Sequence, residues 1–433
     1  MKSLYFIFLI TPFALFGQKQ VQTYYDLNQQ FPKEKYGTIE VDTIIPHGAY
    51  EMYNMQGAII VTGNFEKGLK EGTFKNFYDN GQLQRETIYK QGLRQGTTKV
   101  YFDDGRLQQQ AEFLNDTLVG ETIIYHANGQ LKGKTDFEKG LPEGIVTSYY
   151  ENGNKQQEVT YTDGKPNGLT RKYYETGKLQ LEAEYTNGRL NGFYKTYFPS
   201  GALEMEVMNS QGKKSGFVKK YYENEQLESV GIYAEGALQG EFKIFYDDGS
   251  AKSLYKYKNG RKVGENIDYH LNGKVSKLAK YTDGGLDATI TSYNDKGKVT
   301  SESFIENELK AKTWNYYDTK GRIIKTENYE NGKLQGPWTT FDGKRMTEKG
   351  QYLHGKKAGE WIKFSSKGNP VLISFYKLGK LHGMYTSYYK NGQKEYEGRY
   401  INNKRTGDWT YWDEKGQKLE TVKYQSGEIV ETN

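Results

Sequence analysis

Glycine returns every 24 residues through much of this 433-residue chain. It stands at Gly57, Gly81, Gly105, Gly129, Gly153, Gly177 and Gly201, yields one beat to Glu225, and resumes at Gly249, Gly273 and Gly297. A fixed period of this size belongs to stacked-repeat architectures, in which a unit buries its apolar face only against its neighbours. It also constrains function, because repeat arrays offer long surfaces to partners and seldom a lone catalytic cleft.

One unit covers residues 65–88 and reads FEKGLKEGTFKNFYDNGQLQRETI. The shared pattern is aromatic-x-x-G-x-x-x-G-x-x-x-x-aromatic-aromatic-x-[ND]-G-x-L. Fifteen units start at Phe65, Tyr89, Phe113, Phe137, Tyr161, Tyr185, Asn209, Tyr233, Tyr257, Tyr281, Phe304, Tyr329, Tyr352, Tyr376 and Tyr400. Only Asn209 among them is not aromatic, and twelve residues on the side chain is aromatic in every unit, from Phe77 to Trp412. The spacing slips by one residue around Phe304 and Tyr329, which reads as loop insertion or deletion.

Asn-Gly or Asp-Gly between aromatic and β-branched runs is the strongest short hairpin signal. It occurs at Asn80-Gly81, Asp104-Gly105, Asn128-Gly129, Asn152-Gly153, Asp248-Gly249, Asn272-Gly273 and Asn391-Gly392. A two-residue turn with positive φ at both central positions predicts strands over 73–78 and 82–88, with Tyr78 opposite Leu83. Gly92 supplies a second turn, and Gly96 is expected beneath the ring of Tyr89, an arrangement known to shield strand glycines. Frequent glycine and the lack of a 3.6-residue apolar period exclude helix. The G-x-x-x-G spacings lie outside any apolar stretch and so are not membrane-helix contacts.

The expected fold is therefore all-β: an elongated single-layer antiparallel sheet of about fifteen tandem 24-residue β-hairpin repeats, twisted or superhelical. Thirty strands at roughly 4.8 Å would span about 140 Å, and open sheets of more than roughly ten strands twist, curl or flatten. The 39 tyrosines suit faces that are half buried and half wet.

Residues 1–17 read as a signal peptide, with Lys2 before an apolar run over 4–16 and small residues Ala14 and Gly17 near the cleavage point. The run is short for a membrane span. Cleavage near Gly17 implies export to the periplasm, outer envelope or extracellular space. Residues 18–46 lack the repeat pattern and read as an N-terminal cap over an exposed edge. Residues 47–424 form the repeat array, and 425–433 a C-terminal tail.

The chain has no cysteine, which excludes disulfides, thiol catalysis and thiolate-bound metal. Its 60 basic and 54 acidic residues interleave throughout. That is a solvated surface, without the clustered basic stripe that single-stranded nucleic acid needs.

Of the five histidines, His126 and His270 occupy the place of Tyr78, while His354 and His382 sit beside turn glycines and are expected to be exposed. With His47 they fall in non-adjacent units, whereas zinc needs three or four convergent ligands. Asp103-Asp104-Gly105 and Asp247-Asp248-Gly249 read as turns, because the EF-hand spacing is absent. Neither a phosphate-binding loop nor a nucleophile elbow occurs. No metal, no cofactor and no enzymatic activity are expected. What remains is surface. A thin sheet cannot hide every ring, and exposed rings rimmed by charge make a good protein-binding face. The candidates are the second aromatics Tyr78, Phe102, Tyr150, Tyr174, Phe198, Tyr222, Tyr246, Tyr317 and Tyr389.

The pattern G-x-x-x-G-x-[FW]-x-x-[YF]-[YF]-x-[ND]-G-x-L resembles the MORN repeat variant, a family that includes the YwqK-like antitoxin components of bacterial toxin–antitoxin systems. Matching stretches are GLKEGTFKNFYDNGQL at 68–83, GALQGEFKIFYDDG at 236–249 and GKLHGMYTSYYKNGQK at 379–394, and the resemblance covers about 46–424. It implies a hairpin array that binds proteins, contacts lipid or spaces domains. The expected function is a non-enzymatic exported scaffold for protein–protein interaction at a bacterial cell envelope. The alternatives are an antitoxin component neutralising a toxin, or a module contacting membrane or glycan.

Overall fold

The structure, a computed structural model, describes residues 19–39, 45–282 and 284–432. The signal-peptide reading of 1–17 lies outside the described residues. Within them the chain is all-β and antiparallel, without a helix, each main strand pairing with the one before it and the one after. Two compact units divide it. The first holds the residues up to Gly216 with Glu223–Glu225, and the second holds Phe217–Tyr222 with Gln226 onward. Strands Lys19–Tyr24 and Pro32–Thr38 precede the repeats and pair in turn onto Pro46–Tyr53. At the other end Glu428–Thr432 is a strand paired to Lys418–Gln425.

Two kinds of turn alternate, and they exchange the roles that the sequence suggests. The two-residue turn with both central φ positive is at Gln91-Gly92 (51° and 83°), not at Asn80-Gly81. There Tyr89 faces Arg94 and Lys90 faces Leu93, the type I′ geometry that matches strand twist. The Asn-Gly turn instead has three loop residues, Asp79, Asn80 and Gly81. Tyr78 exchanges hydrogen bonds with this loop, Gly81 N–H donating to its carbonyl and its own N–H donating to Gln82 O, both at 2.9 Å. Only Gly81 is left-handed, at φ 81°. This is a type I turn closed by a glycine bulge. The strands are accordingly Gly72–Phe77 and Leu83–Lys90, and Leu83 faces Phe77 rather than Tyr78.

Asn80 has a different use from the one its turn propensity suggests. Its Oδ1 accepts from Gln82 N–H, and its Nδ2 donates to Asp103 O one repeat on, both at 2.9 Å. Asn128, Asn152, Asn272 and Asn391 make the same inter-repeat bond, at 2.6–2.9 Å. The skipped beat obeys the same backbone rule, since Glu225 takes φ 65°. A left-handed non-glycine residue costs about 1–2 kcal/mol, partly offset by the freedom glycine loses on folding. Glu225→Gly is therefore expected to raise stability by about 0.5–1 kcal/mol, read as a higher thermal midpoint. An unchanged or lower midpoint would contradict the strain account.

The period also holds where the sequence suggested a slip. Glu306-Asn307-Glu308-Leu309 forms the turn corresponding to Lys90-Gln91-Gly92-Leu93, so Ile305, not Phe304, opens that unit. A one-residue deletion lies in the short turn at Gly343-Lys344, between Asp342 and Arg345.

Alternation gives each strand two faces. On one, charges oppose across strands, as in Lys75–Glu86 at 3.7 Å and Arg171–Glu182 at 2.9 Å. Such exposed pairs are worth at most about 1 kcal/mol each. The other face holds the core. It is built from the aromatic unit start, the residue nine positions after it and the residue two positions before it: Phe65, Phe74 and Gly63 in one unit, Tyr400, Trp409 and Gly398 in another.

Rings do cover strand glycines, though not at Gly96. That residue has φ 77°, pairs with Phe113, and a Cβ on it would meet Ile88. The shielded glycines are Gly63, Gly231, Gly350 and Gly398. A Cβ added to each would fall 2.2–2.4 Å from a ring atom of Phe74, Phe242, Trp361 and Trp409, respectively.

An aromatic face with an interrupted row

The second aromatics are all half-buried, and all but Tyr317 close the three-residue turns. Tyr78 donates its hydroxyl to Tyr101 O at 2.8 Å. Tyr150, Tyr174, Tyr222, Tyr246 and Tyr389 repeat that bond to the carbonyls of Tyr173, Tyr197, Phe245, Tyr269 and Trp412, at 2.7–3.0 Å. His126 and His270 make it through Nε2, to Tyr149 O and Tyr293 O. Phe102 and Phe198 hold the same closing position without a hydroxyl. These side chains tie each turn to the following repeat.

Tyr317 does not belong to that column. It pairs with Ile323 as Phe77 pairs with Leu83, and Asp318 takes the closing position. Its hydroxyl donates to Glu302 at 2.6 Å, just as Tyr173 donates to Glu158 in another repeat. Of the two turn histidines, His354 is exposed, but His382 is half-buried, with Nδ1 enclosed and unpartnered.

The core face carries a feature that sequence reasoning missed. Nine residues into a unit stands a large ring in Phe74, Tyr194, Phe242, Trp314, Trp338, Trp361, Tyr385 and Trp409, but a small residue in Thr98, Thr122, Val146 and Thr170. Where Thr98 follows Phe74, a groove of about 680 Å³ opens in the first unit. Phe65, Phe74, Tyr89 and Phe113 line it, together with the small residues Thr87, Thr98 and Ala111. Phe74 meets Phe65 and Tyr89 edge to face, at centroid distances of 5.4 and 5.3 Å. The Oγ1 of Thr98 is enclosed and has no hydrogen-bond partner.

Three cations line the groove, Lys70, Arg85 and Arg94, and no carboxylate does. Lys70 Nζ lies 4.8 Å from the ring centres of both Phe74 and Tyr89, and the Arg94 guanidinium lies 4.0 Å from that of Phe113, each an attractive cation–π geometry. Arg94 also holds Asp116 at 2.9 Å, and the Arg94 backbone and side-chain hydrogen bonds keep that carboxyl below its usual range. Arg85 is exposed and makes no ion pair among the described residues. Burial, and then the Glu34 carboxylate that accepts its hydrogen bond at 3.1 Å, push the Tyr50 hydroxyl up, so it stays a neutral donor. No group of three metal-ligating side chains converges among the described residues. The arrangement can stack an apolar group and neutralise negative charge. Nothing in it pairs a nucleophile with a base.

Fold and face define a class: a tandem-repeat β-protein of linked hairpins with one aromatic face. The family profile described as MORN repeat variant matches residues 70–91, 94–115, 118–139, 142–163, 166–187 and 381–402. Those six stretches are MORN repeat variants. No curated protein matches it. Three solved structures are similar at low identity. The crystal structure of TcdB2-TccC3-Cdc42 matches at 10% identity and TM-score 0.13, over 94% of this chain and 27% of that one. TcdB2-TccC3 matches at 10% and 0.13, over 96% and 28%. The Photorhabdus luminescens Tc holotoxin pore, with a TccC3 mutation, matches at 9% and 0.14, over 96% and 29%. The chain thus spans less than a third of each of those chains.

Proposed function

We propose that this chain is an exported, non-enzymatic repeat scaffold that binds a protein partner at a bacterial cell envelope. The observation that carries the reading is the groove at Thr98, where the ring of Phe74 gives way to a small residue, edged by cations. The N-terminal leader pattern supports export, and MORN-type repeats supply the scaffold. Neutralising a toxin would be a special case of such binding.

Affinity capture from envelope fractions tests the proposal, with the wild-type chain set beside the groove-filling variant Thr87→Gly/Thr98→Phe. A partner retained by the wild type and lost from the variant is the expected result. Recovery of nothing specific, or of the same proteins by both, would rule out the groove as a protein site. Alanine variants of Tyr150 and Tyr174 in the same assay ask whether the second-aromatic column is also a contact surface.

A further inference from the structure

We propose that the groove accepts an extended acidic peptide segment carrying one aromatic anchor. This rests on the protein-binding reading above and adds the chemistry of the bound segment.

The anchor follows from the interruption of the row. In the unit before Thr98, Phe74 lies directly over Gly63, and the corresponding places in the second unit are filled by Phe242, Trp361 and Trp409 over their glycines. At Thr98 the ring is missing and the space remains. A ring supplied by a partner could meet Tyr89 and Phe113, which line the groove, edge to face as Phe74 meets Phe65 and Tyr89, an arrangement that aromatic pairs favour. The space, about 680 Å³, is ample for one ring and its neighbours.

The acidic character follows from charge. Lys70, Arg85 and Arg94 line the groove with no carboxylate among the lining residues. Arg94 is already half neutralised by Asp116, which leaves Lys70 and the exposed Arg85 to attract the anion. Asn76 and Gln109 add amide groups along the same wall, suited to the backbone of an extended segment. The groove lies on a sheet face, so its occupant cannot pair as an added strand, and side-chain pockets must supply the recognition. Single-stranded nucleic acid also uses rings and cations, but it needs a groove that tracks a continuous phosphate backbone. Here the cations are few and one is paired.

The test is fluorescence anisotropy on the chain lacking residues 1–17. The probe is a labelled ten-residue peptide of glutamate and serine with one central phenylalanine. Saturable binding is expected, weakened at least tenfold when phenylalanine becomes serine, when lysine replaces glutamate, and in Arg85→Glu. Thr87→Gly/Thr98→Phe, which copies the Gly63 and Phe74 arrangement into the groove, should abolish it with the thermal midpoint retained. Should that variant unfold, Arg85→Glu, an exposed substitution, still decides the matter. Binding indifferent to Arg85 and to the anchor would overturn the proposal, as would tight binding of oligothymidylate without peptide binding. If the peptide fails while envelope capture still yields a partner lost on groove filling, the acidic-anchor inference falls and the protein-binding reading stands. If the peptide binds as expected while capture yields nothing specific, the anchor chemistry stands and the envelope partner falls.

Discussion

Replacing Trp409 with alanine is expected to destabilise the second unit by about 3–5 kcal/mol, the range for removing a large ring from a packed core. Trp409 is fully enclosed, at 0% exposure. Its ring centre lies 5.0 Å from that of Tyr400 and 6.1 Å from those of Tyr385 and Tyr424. The Arg405 guanidinium covers it at 4.3 Å, and its indole N–H donates to Arg399 O at 3.3 Å. Alanine would remove the ring, expose Gly398 and strip Arg405 of its platform together. In repeat arrays each unit touches only its neighbours, so damage is local before it is global. Hydrogen exchange should therefore accelerate in strands Lys394–Ile401, Lys404–Trp412 and Lys418–Gln425 and stay unchanged in the first unit. Uniform acceleration, or none, would contradict a locally held core.

The second large effect is a reversal of sign. Gly350 has an ordinary extended backbone, yet an added Cβ would sit 2.2, 2.3 and 2.7 Å from three ring atoms of Trp361. Trp361 is itself 2% exposed, hydrogen-bonded to Gln351 O at 3.2 Å and packed against Trp338 and Tyr352 at 5.2 Å, so it has nowhere to go. Gly350→Ala should destabilise by about 1–3 kcal/mol through overpacking. In a Trp361→Thr background the clash is gone, and the same substitution should stabilise by about 0.5–1 kcal/mol, because alanine suits a strand better than glycine. That double variant reproduces a native pair, Ala111 with Thr122, buried at 3% and 7% exposure. A four-point cycle of chemical denaturation measures the coupling. Additive effects would mean that glycine is there for some reason other than the ring above it.

These two positions show why part of the molecule was readable in advance and part was not. The unit, its all-β character and its aromatic phase are written in residues close along the chain. Gln91-Gly92 and Asn80-Gly81 announce turns wherever they occur, because positive φ is a local demand. Which turn is which was not legible. Asn80 suits a type I′ turn as well as a type I turn with a bulge, and only the structure shows the bulge, with the amide reaching Asp103 in the following repeat. The bulge inserts one residue into the alternation, so Phe77 and Tyr78 cannot be assigned to faces by counting. Tyr317 reads one position out for another reason: its unit opens at Ile305, beside the aromatic Phe304, and its pairing with Ile323 shows the true phase.

The groove is the strongest case. Thr98 in the sequence is one threonine among many, and its small size has meaning only beside Phe74 and above Thr87. The variation at that position was visible along the chain, from Phe74 through Thr98 to Trp409, but not that the position lies in the core.

The sequence by itself determined the 24-residue period, the antiparallel hairpins and the places of the turn glycines. Those properties depend on backbone sterics within a few residues. The tertiary structure alone decided which ring covers which glycine, which hydroxyl ties one turn to the next, and where the row of rings breaks open. Each of those is a contact between residues about 9 to 24 positions apart, and a single bulge between them exchanges inside for outside.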